Sequence, residues 1–149
     1  YRRGMYTHFW RSASHPALMV FDAPDSIAAC TRRIRSNTPL QALTLLNDQQ
    51  FLELAQGLAA RVLKETPAGD TERLRLAFRL SLARQPTAAE AERLQRFLRQ
   101  QLEEFRKAPE DSRALVPAGV ASGDDPALLA AWTAVARVLL NLDEFITRE

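Results

Sequence analysis

The chain has few of the residues that most often carry chemistry. It holds one cysteine, Cys30, so no internal disulfide can form and no Cys-x-x-Cys metal, redox or haem-attachment motif exists. With five glycines, it has neither the dinucleotide-binding spacing nor the P-loop spacing. Its two histidines, His8 and His15, have no carboxylates at a metal-motif spacing, so no metal ligands are assigned. No apolar run approaches the roughly 18 residues that a membrane span needs. No basic start followed by an apolar run and a cleavage site marks a signal peptide. Internal repeats, low-complexity tracts, heptads and convincing strand alternation are also missing. A catalytic triad could draw on Cys30 or a serine, a histidine and an aspartate within residues 8–30, but nothing in the spacing fixes a geometry. We assign no catalytic residue and lean against an enzyme.

What is present is helix. At 149 residues, with 46% hydrophobic and 26% charged residues, the length fits about one domain with a real core. The net charge of +2 is uneven. Residues 1–37 carry six arginines against Asp22 and Asp25, whereas residues 38–149 carry 14 basic and 16 acidic side chains. A basic first quarter suits an acidic partner, an electron-transfer partner included, or carboxylates of the helical part. The arginines precede the first long helix rather than lining it, which argues against nucleic acid.

The patterning predicts an all-α fold: an irregular helical bundle of four to five main helices, residues 38–149, behind a partly irregular aromatic and basic arm, residues 1–37. In the arm, Met5, Phe9 and Trp10 predict a short helix over 3–12, and Pro16 opens a turn of helix through Leu18 and Met19. Asp25 starts another short helix over 26–30, where Cys30 reads as a small core residue. Thr38-Pro39-Leu40-Gln41 is a capping box with proline at the first helical position. The helix it starts sets Leu40, Leu43 and Leu46 on one face. Asn47-Asp48 marks a kink or a fresh N-cap, and the pattern resumes through Phe51, Ala55, Leu58 and Val62 to about Glu65. Leu74, Phe78 and Leu82 define a helix over 71–83. Thr87 to Glu90 is a second capping box, and Leu94, Leu98, Leu102 and Phe105 carry that helix to Lys107. These two helices form an antiparallel pair. Residues 108–125 read as a loop with one helical turn over 111–115. Asp125-Pro126 opens a last helix that is apolar on nearly all sides, so it belongs in the centre of the bundle.

The strongest polar constellation is Asp22, Asp25, Arg32, Arg33, Arg35 and Asn37. Carboxylates and guanidiniums this close in sequence make either an ion network that locks the arm onto the bundle or a binding site for an anionic or sugar ligand.

The blocks FDAPD (21–25), Cys30 with the arginines to Arg35, NTPLQALTLLND (37–48) with Phe51, and the closing run AWTAVARVLLNLDEFITRE (131–149) carry a resemblance. Together with YRRGMYTHFW at the start, they resemble the C-terminal domain of unknown function in planctomycete cytochrome-c-domain-containing proteins. The resemblance implies a large, exported, multidomain setting in which this chain is the C-terminal part of a larger domain. It implies partners among the other domains of the same polypeptide, and polysaccharide as a substrate of the surroundings. It implies no cofactor in this chain, with haem in an upstream cytochrome c-like domain.

Overall fold

The computed structural model describes residues 6, 8–10, 12–24, 27, 29–32, 36–67, 69–117 and 125–147. Among them are eight helices and no strand: α1 Pro16–Val20, α2 Pro39–Asn47, α3 Gln49–Glu65, α4 Asp70–Leu82, α5 Ala88–Lys107, α6 Pro109–Ala114, α7 Pro126–Leu140 and α8 Asp143–Ile146. The fold is all-α.

Local chemistry sets the helix starts. The side chain of Thr38 accepts from the Gln41 N–H while the Gln41 side chain accepts from the Thr38 N–H, which completes the capping box of α2. Thr87 and Glu90 do the same for α5. Asp48 is a fresh N-cap: its carboxylate accepts from the Gln50 N–H at 2.8 Å, and its extended backbone separates α2 from α3. Asp125 caps α7 through the Ala127 N–H at 3.0 Å. A left-handed Ala83, at φ 57°, ends α4 and turns the chain toward α5.

Helix α7 is the centre. It packs against every other helix except α1. Leu129, Trp132, Val135 and Leu139 are all buried, against Ala59 and Val62 of α3, Leu74 and Phe78 of α4, and Leu94 and Leu98 of α5. Burial of each large apolar side chain contributes about 1.5–3 kcal/mol, so this cluster dominates stability. Arg137 also leaves α7 toward α2, where its guanidinium donates to the carbonyl of Leu46. That carbonyl sits in the last turn of α2, where the helix itself offers no donor.

Several sequence expectations are corrected. The helix expected over 3–12 falls partly outside the described residues, and His8, Phe9 and Trp10 within it are not helical. Nor are Ile27, Ala29 and Cys30, and Cys30 is exposed rather than buried. Residues 109–114 form a full short helix, with Pro109 at its first position and the Ser112 hydroxyl donating to the Pro109 carbonyl at 2.9 Å. In α2 the apolar face of Leu40 and Leu43 points to solvent, and the buried pair is Gln41 and Leu45. A helix can present only one side to the bundle, and this one presents the side that carries the amide.

Candidate functional site

Gln41 organises the junction between arm and bundle. It is 2% exposed, although it is a polar residue. Its Oε1 accepts from the Thr38 N–H at 3.1 Å. Its amide nitrogen donates to the Val20 carbonyl at 2.9 Å and the Ser36 hydroxyl oxygen at 2.8 Å, with Asp22 Oδ2 a longer 3.4 Å away. Ser36 in turn donates its hydroxyl to Asp22. One side chain thus caps a helix with its oxygen and holds the arm with its nitrogen. Asp22 adopts φ 51°, a left-handed conformation that aspartate tolerates better than most residues, and the backbone reverses there after α1. Phe21 then packs on Phe51 of α3, ring centroids 5.8 Å apart.

Asn37 does not join Asp22. Its amide donates to Asp143 Oδ1 at 2.5 Å, which ties the arm to α8. Arg32 is exposed, with no partner among the described residues. Asp25, Arg33 and Arg35 lie outside the described residues. Of the constellation expected from sequence, the structure therefore places Asp22 on Ser36 and Gln41, and Asn37 on Asp143. Sequence reasoning missed Ser36 and Asp143 as partners, and it read Gln41 only as a capping residue. The available signal was a glutamine at a helix start flanked by serine and asparagine. Asp143 carried none.

The next residue, Glu144, belongs to a second cluster. Arg84 donates to both Glu90 oxygens at 2.9 and 2.7 Å, and to Glu144 at 2.7–3.0 Å. Its guanidinium lies over the Phe78 ring, 5.3 Å from the centroid. The hydrogen bonds from Arg84, then the backbone N–H of Thr87, hold the Glu90 carboxyl at about 2, well below its usual value. Arg84 likewise lowers Glu144, and the two carboxylates hold Arg84 firmly protonated.

Two surface clefts flank α4. One, of about 550 Å³, opens between the end of α4 and α8 and is lined by Leu80, Ser81, Asp143, Glu144 and Thr147. The other, of about 520 Å³, runs along α4 past Thr66 and Gln85. Neither is lined by Asp22, Arg32 or Asn37. Among the described residues, no three His, Cys, Asp or Glu side chains are grouped to hold a metal. His8 makes an edge contact with Trp10 at 5.0 Å, and His15 precedes α1 without a side-chain cap bond. No described helix is long and apolar enough to cross a membrane.

Comparison with curated proteins gives no match, and comparison with solved structures gives none either. The family model described as "Protein of unknown function (DUF1553)" matches residues 1–98, about two thirds of the chain, and the protein belongs to that family.

Proposed function

We propose that this chain is a non-catalytic helical module of an exported multidomain protein, and that it docks other domains of the same polypeptide through its first quarter and α2. One observation carries this reading. Of the eight large apolar side chains that are exposed among the described residues, six (Tyr6, Trp10, Met19, Ile27, Leu40 and Leu43) precede residue 44. From α3 onward, Leu54 and Leu80 are the only ones exposed among the described residues. Single exposed apolar residues are ordinary, and their concentration in this part of the chain is what supports an interaction role for it. Aromatic residues, methionine and arginine are also the types enriched at interfaces, and this quarter of the chain is rich in all three.

The setting follows from the resemblance to planctomycete cytochrome-c-domain-containing proteins. Haem would sit in an upstream domain, and export would place the assembly in the periplasm or at the cell surface. The test mixes this chain with the separately purified upstream domains and follows complex formation by sedimentation. A saturable complex that weakens in the Leu40→Ser/Leu43→Ser double variant is expected. No complex with the unsubstituted chain, or an equal one with the double variant, refutes the docking surface.

A second reading is a glycan-binding or polysaccharide-processing component with its site around Asp22, Asp25, Arg32, Arg33, Arg35 and Asn37. What favours it is Asp143, which accepts from Asn37 and also lines the cleft against α8, a cleft that Asp22, Arg32 and Asn37 do not themselves line. Titration with neutral and acidic oligosaccharides tests it, with Asn37→Ala and Arg32→Ala as the discriminating variants. Binding that neither variant alters rules out this placement.

A further inference from the structure

The cleft along α4 has a lining in which donors outnumber acceptors. Glu72, Arg75, Leu76 and Arg79 form one face of the helix, at the spacing that brings side chains together on one side. Thr66 closes one end and Gln85 with Pro86 closes the other. The Thr66 end is fixed: Arg73 donates its Nε–H to the Thr66 carbonyl at 3.0 Å and pairs with Asp70 at 3.2 Å.

The charges do not balance. Among the described residues of the lining Glu72 is the one carboxylate, and it already accepts from Arg75 at 2.6 Å. Arg79 is exposed, and its guanidinium has no hydrogen-bond or ion-pair partner among the described residues. Two guanidiniums one helical turn apart repel, at a cost of a few tenths of a kcal/mol, and only one of them is neutralised. Thr66 and Gln85 add side chains that can both donate and accept. Leu76 and Pro86 supply an apolar wall. The volume lies in the range of sites that hold small organic molecules, so there is room for more than a bare ion.

We infer that this cleft binds an oxyanion, a carboxylate or a phosphate or sulfate ester, carried on a small ligand whose apolar part lies on Leu76 and Pro86. Arg79 is the principal contact, with its planar fork on two oxygens of the anion. Arg75, held by Glu72, borders the same anion. This is independent of the docking surface, which lies on α2 and the arm.

The test follows the Nε–H resonances of the arginines by NMR while sodium sulfate, phosphate or acetate replaces chloride at constant ionic strength. A saturable shift at Arg79 in the millimolar range is expected with at least one of the three. The preferred anion tells a carboxylate ligand from a tetrahedral ester. Arg79→Ala should weaken binding about tenfold or more, the loss expected for one charge-assisted bond. Arg79→Lys keeps the charge in the last turn of α4 and loses the fork, so it should fall between the two. The control Arg99→Ala, an exposed arginine on α5, should leave binding unchanged. A shift that grows with every anion without saturating, or binding that survives Arg79→Ala, would show screening alone and overturn the inference.

Discussion

The two ends of this fold are held by different forces. From α3 to α7 the bundle rests on apolar packing: Trp132, Phe78, Leu74 and Leu98 are each 1–2% exposed and touch across three helices. From His15 to α2 the arm rests on hydrogen bonds: Gln41 to Val20 and Ser36, Ser36 to Asp22, and Asn37 to Asp143. The same stretch leaves Met19, Leu40 and Leu43 in solvent. Packing forces scale with buried area and act over the whole cluster, so the bundle should melt as one unit. A hydrogen bond contributes little net free energy but costs much when one partner is left buried alone. The arm should therefore be the less stable region, and it should depend on a few named atoms.

The largest effect should come from the bundle. Trp132→Ala should destabilise by about 3–5 kcal/mol, because the indole fills space between three helices. It should lower the midpoint of the whole denaturation curve, as seen by far-UV circular dichroism. A separate early transition confined to α3 would break the picture of one cooperative core.

Gln41→Leu should cost about 1–3 kcal/mol, since it keeps the bulk but removes the partner of the half-buried Val20 carbonyl and of the Thr38 N–H. Hydrogen exchange should rise at residues 17–23 and stay unchanged in α5 and α7. Equal rises in both regions would mean that arm and bundle are not separable.

Thr38→Ala removes the side-chain acceptor for the Gln41 N–H at 3.2 Å and should cost about 1 kcal/mol. Asn37→Ala should cost less, because its bond to Asp143 is exposed and caps nothing. Equal losses of melting temperature in the two variants would reassign the cap.

The last effect is set by pH. The Glu90 carboxyl is held at about 2 in the fold, below its unfolded value near 4.5. Its contribution is therefore complete above the unfolded value and is lost as pH falls through the folded one. After allowance for solvent screening it amounts to about 1 kcal/mol. Melting temperature should fall between about pH 5 and pH 2. Glu90→Gln should flatten that fall, and an unchanged slope in the variant would place the titrating group elsewhere.

What was legible in the sequence was whatever chemistry acts over three or four residues. Thr38 with Gln41, Thr87 with Glu90, Asp48 and Asp125 all cap the helices that their spacing announced. The central place of α7 was also legible, because a helix without a polar side must be surrounded. What could not be seen was orientation. Leu40, Leu43 and Leu46 have the right period for a buried stripe, yet the packing of α2 on α3 and α7 buries Gln41 and Leu45. Periodicity finds a face but does not say which way it turns. Of the short helices expected in the arm, the one at Pro16 forms as α1, whereas His8 to Trp10, Ile27, Ala29 and Cys30 are not helical, because short segments have too little propensity to fold without tertiary support. Asn37 was singled out among arginines and aspartates nearby, but its partner lies 106 residues on, beyond any local pattern.

That separation has a consequence in time. Asp143 holds Asn37, and its neighbour Glu144 holds Arg84, so one short helix fastens both the arm and the turn between α4 and α5. On the ribosome, at about 5–20 residues per second, Asn37 waits roughly 5–20 s for Asp143 to be synthesised. Throughout that interval the tie from Asn37 to α8 is missing, and the bonds of Gln41 to Val20 and Ser36, and of Ser36 to Asp22, hold the arm without it.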